Sequence, residues 1–442
     1  MNLRVKCAAI CAVFAAFMIN GTGCSSRTVG KVGESPVGDV PVQQTTAATE
    51  EITTEPPTEP VPEDKRVHVI AAGDNLIHYS VFKNAEKLAG PGENFDFKPL
   101  YAPVKYLIEE ADLAILNQET IISQSNPIRG AGKGGISGIH VRGNVIVEGA
   151  DGGALLFNSP PEVADAVIDL GFDVFTMANN HLLDFGADAT IESINFWNEK
   201  AAAHDLTVLG AYLNEEDSNN IRVREVNGVK IAFLSYAEHL NGFSIPYDSP
   251  LRVVMNHETD VIERQIKEAN EIADAVIVAA HWGVEDTTLV SEDRIALANQ
   301  MVNWGADVIL GAHTHTAETM EWIEREDGSK GFVFYSMGNF ICCQTDNFNL
   351  VGEMPDFDIV VDGETGEVRL EDVGVIPNII HYEVGDYANL AVYPYSKYTP
   401  EMAAAHGIPY AIPAGTYNYF SYDVLNEIID NAIPKEFQKL DK

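Results

Sequence analysis

Val174-Phe175-Thr176-Met177-Ala178-Asn179-Asn180-His181 is an apolar run that stops abruptly at two amides and a histidine. A short continuous apolar run reads as a strand buried on both faces, and the change to polar residues marks its carboxyl end. Four further stretches end the same way: Ile70-Ala71-Ala72-Gly73-Asp74, Ile115-Leu116-Asn117-Gln118-Glu119, Val278-Ala279-Ala280-His281, and Val308-Ile309-Leu310-Gly311-Ala312-His313-Thr314-His315. In open α/β sheets, ligands bind outside the carboxyl ends of the strands. Strands that each end on Asp, Glu, Asn or His therefore predict one metal site assembled by the whole domain. The candidate ligands are Asp74, His78, Glu119, Asn180, His281, His313 and His315. Convergent oxygen and nitrogen donors of this kind suit a divalent cation.

Each residue alone has a plainer reading. Asp74 after a strand serves as a turn or helix cap. Asn179-Asn180 can make a turn, because Asn tolerates left-handed backbone. His281 beside Trp282 reads as a packed core histidine. The coincidence decides: independent strand exits that all carry ligand types are hard to explain by packing alone.

Working outward, Ser159-Pro160-Pro161-Glu162 predicts a helix start, with Ser159 as the cap and Glu162 closing a capping box. Gly171 is its stop. Helices are predicted over 101–111, 190–203, 261–273 and 294–304, each feeding a strand. Asn227-Gly228 between two apolar-alternating runs is a hairpin signal, so the sheets are expected to be mixed rather than purely parallel. Residues 123–154 are glycine-rich and read as a long loop or hairpin over the site, with Arg129 and Lys133 as candidates for a local basic patch. The main domain is expected over 66–380. Beyond it the pattern weakens, and 381–442 reads as an appendage with one helix over 422–429.

The chain has 442 residues, 46% of them hydrophobic, enough for a sizeable core. The 66 acidic against 28 basic residues give a net charge of −38, which argues against nucleic-acid binding through a basic surface. Residues 1–24 read as a targeting segment: Arg4 and Lys6, a short apolar run, then Gly21-Thr22-Gly23-Cys24-Ser25-Ser26. Small residues before a cysteine resemble a bacterial lipoprotein cleavage site, with Cys24 lipidated. An ordinary signal peptide and an uncleaved anchor are the alternatives. All three export the chain, and the first places it on the outer face of the cell membrane. Residues 25–65, rich in Thr, Glu and Pro, cannot bury a core and read as a disordered tether. Cys342 and Cys343 read as small buried residues.

Gly73-Asp74, Asn117-x-Glu119, Ala178-Asn179-Asn180-His181-x-x-Asp184-x-Gly186, His281-Trp282-Gly283-x-Glu285, Gly311-x-His313-x-His315 and Tyr335-Ser336-x-Gly338-Asn339-Phe340 together resemble the bacterial capsule synthesis protein CapA family. The resemblance runs in order over about residues 67–345. It implies an α/β fold of the calcineurin-like metallophosphoesterase type, a four-layer sandwich of two packed mixed β-sheets flanked by helices. It implies two divalent cations, Mn, Fe or Zn. Asp74 matches the first metal aspartate, and Glu119 stands where the superfamily has the aspartate shared by both metals. Asn180 matches a metal ligand and His181 the proton donor or charge stabiliser, with Asp184 orienting it. His281, His313 and His315 match the later metal histidines. The superfamily has Asp-x-His in its first motif, whereas three residues separate Asp74 from His78 here. Asn117, Asn179, Glu285 and Asn339 are expected around the substrate or behind the ligands. The family is tied to poly-γ-glutamate capsule. The implied function is a metal-dependent hydrolase or transferase acting on an acidic polymer or a phosphoester, with capsule synthase membrane subunits as partners. The alternative is a non-catalytic accessory protein that binds polymer or synthase and holds a structural metal.

Overall fold

Along the Lys65–Asn75 strand, successive side chains serve two different cores. Val67, Val69 and Ala71 pack with Ile115, Ile231, Phe233, Ile277 and Leu310, whereas Ile70 and Ala72 pack with Val163, Val167, Ile194 and Trp197. This is the two-residue period of a strand with both faces covered. The computed structural model describes residues 62–124, 140–142, 145–147, 156–385, 387–411 and 414–442. The expected targeting segment with Cys24, the linker up to residue 61 and most of the glycine-rich 123–154 stretch, including Arg129 and Lys133, lie outside the described residues.

The larger sheet has eight strands. Its spatial order is Ala388–Pro394, Val368–Glu383, Val351–Val361, Lys65–Asn75, Leu113–Asn117, Val174–Thr176 and Thr207–Leu209, with Asn339–Ile341 pairing beside the end of Lys65–Asn75. The run from Lys65–Asn75 to Thr207–Leu209 is parallel, and the Val351–Pro394 side is antiparallel. The smaller sheet has six strands, ordered Met320–Glu324, Lys330–Phe334, Val308–Ala312, Ala275–His281, Val229–Ala237 and Arg222–Val226. Its four central strands are parallel and its edges antiparallel.

The sheets face each other across a common core that includes Val69, Ile115, Phe233, Ile277, Leu310, Phe334 and Phe357. Glu162–Leu170 and Gly186–His204 cover the outer face of the larger sheet. Thr259–Ile272 and Glu292–Trp304 cover that of the smaller one, burying Ile262, Ile266, Met301 and Val302 against Val276, Val278 and Ile309. The result is a four-layer α/β sandwich of two mixed sheets flanked by helices, as the resemblance implies. The Asn227-Gly228 hairpin forms as read: both residues have positive φ, 51° and 76°, and Val226 pairs with Val229.

Three local readings are corrected. Ser159 does not cap its helix. Its hydroxyl bonds the Thr120 hydroxyl at 2.7 Å, and Pro161 takes the N-cap position without a side-chain cap. The single helix expected over 101–111 is split into Lys98–Tyr101, a 3₁₀ turn at Ala102–Val104, and Lys105–Glu110. Pro103, which lacks an N–H, sits at the break. The 380/381 boundary falls inside the Val368–Glu383 strand. Ala388–Pro394 adds an edge strand, and Tyr422–Ala432 buries Leu425 and Ile429 in the core cluster shared by the sheets. Residues 381–442 therefore complete the larger sheet. Among the described residues, no helix is long and apolar enough to cross a membrane.

The end of the central strand depends on a backbone approach that only glycine allows. A Cβ at Gly73 would lie 1.9 Å from the Gly338 carbonyl oxygen, which accepts the Asp74 N–H at 2.9 Å. Gly73→Ala is expected to destabilise the protein by about 3 kcal/mol or more, as forced overpacking against rigid backbone does. Thermal or urea denaturation checks this; an unchanged midpoint would show that the two segments move apart freely.

Candidate metal centre

Strand register brings the polar exits to one edge. Asp74 pairs with Asn117 and Asn117 with Thr176, so the larger sheet ends level just before Gln118, Glu119 and Asn179-Asn180-His181. In the smaller sheet His281 pairs with Ala237 on one side and Ala312 on the other, just before His313. The two edges then touch. The His313 N–H lies 3.3 Å from Asp74 Oδ2, and Asn117 Nδ2 lies 3.5 Å from His281 Nδ1.

Two donor sets result, Glu119–His281–His313 and Asp74–Glu119–His315, each with ligand atoms within 4.8 Å of one another and all residues buried. Glu119 belongs to both. Its carboxyl is fully buried, and neither oxygen has a hydrogen-bond partner. His281 Nε2 and His315 Nε2 approach its Oε1 at 3.4 and 3.8 Å without making hydrogen bonds. An unpartnered buried carboxylate is costly by several kcal/mol unless it is neutralised or coordinates a cation. Burial, reinforced by the neighbouring Asp74 carboxylate, pushes the Glu119 carboxyl well above the ordinary range. His313 Nδ1 is likewise buried without a partner. These orphaned groups, shared between two buried donor sets, are compatible with divalent metal binding.

Asp74 is held differently. Burial raises its carboxyl, but the His315 Nδ1 contact at 3.0 Å and the His315 charge outweigh that and leave it below the usual value. Asn117 Nδ2 donates to its Oδ1 at 2.7 Å. The same pairing lifts His315 above an ordinary histidine, against burial. Burial depresses His281 to about 3 and His313 below the normal histidine range, so both imidazoles are neutral and available as ligands. His313 and His315 also carry positive φ, 97° and 59°. For bulky residues this is strain of about 1–3 kcal/mol each, which persists where the surroundings fix it.

Asn180 Oδ1 lies 3.0 Å from His281 Nε2. Its Nδ2 donates to Asn241 Oδ1 at 3.1 Å and to Glu285 Oε1 at 3.2 Å, which fixes the amide so that its oxygen faces the donor set. His181 Nδ1 pairs with Asp184 Oδ2 at 2.8 Å, and the Phe157 N–H donates to the same oxygen at 2.7 Å. Burial raises the Asp184 carboxyl despite the His181 contact. The Phe157 ring stands edge-on to His181, centroids 4.7 Å apart.

Asp74, Glu119, Asn180, His281, His313 and His315 are thus brought together, with His181 and Asp184 beside them. His78 is not in either donor set. Its Nδ1 lies 3.3 Å from both the Leu76 carbonyl and the Cys343 N–H, and burial depresses it to about 3. Asn75-Leu76-Ile77 separate Asp74 from His78, two residues more than in Asp-x-His, and His78 stands at the start of the Tyr79–Leu88 helix. Asn179 builds the turn: its Oδ1 accepts the His181 N–H at 3.0 Å, and its Nδ2 donates to the Gln118 carbonyl at 3.0 Å. Asn339 Nδ2 braces the loop from behind, donating to the His315 and Asn349 carbonyls at 3.1 Å. Sequence reasoning missed His239 and Asn241. The signal was the apolar Val229–Ala237 strand, which also exits into polar residues, Glu238-His239.

Residues 68–344 match the family model described as bacterial capsule synthesis protein PGA_cap. The capsule biosynthesis protein CapA of Bacillus anthracis is 36% identical over 185 residues, 41% of this chain and 42% of that protein. The PGA biosynthesis protein CapA of Bacillus subtilis (strain 168) is 33% identical over 175 residues, 39% of this chain and 43% of that protein. The match therefore spans about two-fifths of the length of these curated relatives. A solved structure from Staphylococcus aureus, assigned as a 5′-nucleotidase and in complex with α-ketoglutarate, aligns at 12% identity with a TM-score of 0.42, covering 74% of this chain and 54% of that one. The family match covers more than half of the chain and every strand exit of the metal centre, and the protein is a member of the bacterial capsule synthesis protein family.

Proposed function

We propose that the protein is a metal-dependent hydrolase or transferase of capsule synthesis, acting on poly-γ-glutamate or a related acidic polymer or on a phosphoester, at the outer face of the cell membrane through a lipid on Cys24. Capsule synthase membrane subunits are the partners this reading expects. The observation that carries the reading is Glu119, a buried carboxylate with no donor, shared by two sets of metal-type ligands.

Asp74, Glu119 and His315 would hold one divalent cation; Glu119, Asn180, His281 and His313 would hold the other. Such a pair supplies Lewis acidity that polarises a scissile phosphoryl or acyl group and eases deprotonation of the attacking water. The chain's own groups supply the rest. Asp184, fixed by the Phe157 N–H, engages His181 through Nδ1 and leaves Nε2 as the nitrogen that can hand a proton to the leaving group. Asn241 and Glu285 fix Asn180, and Asn117 fixes Asp74.

The rival reading, a non-catalytic accessory protein with a structural metal, gives the His181–Asp184 pair no task. His181→Ala decides between them. Turnover of poly-γ-glutamate or a generic phosphodiester is expected to fall ~10²–10⁴-fold with metal content unchanged. Wild-type protein with bound metal and no turnover, and a variant indistinguishable from it in polymer binding, would favour the accessory role.

The centre also predicts a pH dependence of metal uptake. In the cation-free protein Glu119 and His315 both keep their protons to higher pH than usual. Coordination must expel those protons, so affinity rises with pH until both groups are deprotonated, and protons are released on binding. Calorimetric titrations in buffers of different ionisation enthalpy measure this. Affinity independent of pH, with no proton release, would contradict the assignment.

A further inference from the structure

Two imidazole nitrogens face each other at the rim of the centre. His239 Nε2 lies 3.0 Å from His313 Nε2, with the rings edge-to-face and centroids 4.7 Å apart. His239 is only partly buried. It stands two residues past the end of the Val229–Ala237 strand, whose last residue pairs with His281. The loop that carries it is tied to the rest of the site. The Glu238 N–H donates to the His281 carbonyl at 2.9 Å, and Glu238 Oε2 accepts the Gly283 N–H at 2.7 Å. No role for His239 follows from the ligand pattern, because it belongs to neither donor set.

The other nitrogen of His313 settles what the contact requires. Nδ1 is the buried, unpartnered nitrogen, so it is the atom available to a cation. A neutral imidazole that coordinates through Nδ1 carries its one proton on Nε2. That N–H points at His239 Nε2, which must then offer a lone pair. We propose that His239 is the positioning residue of the second metal set: it accepts the His313 Nε2 proton and so fixes the ring and tautomer that present Nδ1 to the cation. Metal-binding histidines commonly donate their distal N–H to a partner of this kind, and its loss costs about 10–100-fold in metal affinity. His239 then carries its own proton on Nδ1. In the structure the Asn241 N–H donates to that nitrogen at 3.4 Å, so the proposal requires this contact to open when the cation binds. The inference rests on the metal reading above.

A pair of variants separates an acceptor role from ring packing. His239→Phe keeps the ring and removes the nitrogen; His239→Gln removes the ring and keeps an acceptor oxygen. Full-length protein is titrated with Zn²⁺ against a chelating indicator and, separately, with Co²⁺ followed by visible absorption; melting curves confirm that each variant folds. Wild type is expected to take two ions. His239→Phe should keep one ion at wild-type affinity, bind the other about 10–100-fold more weakly, and show an altered cobalt spectrum. His239→Gln should recover most of the loss. Two ions bound by His239→Phe with wild-type affinity and spectrum would overturn the proposal while leaving the metal reading intact, as would a loss in His239→Gln greater than that in His239→Phe. Wild type that takes no ion would overturn both.

Discussion

A carboxylate sealed inside a protein without a donor is the constraint around which this molecule is arranged. Glu119 has no access to water, no hydrogen bond, and another carboxylate, Asp74, beside it. In the absence of a cation, burial and the Asp74 carboxylate raise its hold on a proton. Divalent charge on either side would remove the penalty and turn the same burial into strength, because electrostatic attraction grows as water is excluded. The donor sets on its two flanks are the structural answer: each is buried and each uses Glu119 as a common member. No single loop or helix could supply them, since the ligands come from both sheets.

The two-sheet architecture meets that requirement through register. Parallel strands whose ends are level present their exits as a row, and two such rows meet at right spacing only if the sheets are closely apposed. Within each sheet, glycine allows the closest backbone approach between neighbouring strands at these exits: Gly73 beside the Gly338 carbonyl, and Gly311 with its Cβ position 1.9 Å from the Tyr335 carbonyl oxygen. The remaining cost is borne by the histidine loop. His313 and His315 sit in the left-handed region, yet their backbone is tied to Asp74 and Asn339. Strain held in place by neighbouring bonds is a mark of a site whose geometry is used. Behind the ligands, side-chain hydrogen bonds fix orientation: Asn117 on Asp74, Asn241 and Glu285 on Asn180.

Much of this was legible in the sequence because the physics is local. A buried parallel strand is an apolar run, its end is a polar break, and ligand chemistry at several breaks implies convergence. That reasoning placed Asp74, Glu119, Asn180, His281, His313 and His315, and the Asn227-Gly228 turn made the sheets mixed. What was not legible depends on distance in three dimensions. His78 has the right chemistry but joins neither donor set, its Nδ1 lying between the Leu76 carbonyl and the Cys343 N–H. His239 has an unremarkable sequence setting and matters only through its contact with His313. Ser159 has every local feature of a cap, but Thr120, distant in sequence, takes its hydroxyl. The 381–442 stretch read as an appendage because edge strands with one half-covered face, rich in Tyr and Pro, lack the continuous apolar signature of the central ones.

The central claim is that Glu119 lies between two cations. Crystals of the full chain equilibrated with Mn²⁺ or Zn²⁺, with data collected at the metal absorption edge, test it directly by anomalous difference density. The account predicts two peaks about 3.5–4 Å apart, both in contact with Glu119, one beside Asp74 and His315 and the other beside Asn180, His281 and His313. A lone peak elsewhere, or none at Glu119 in metal-saturated crystals, would contradict it.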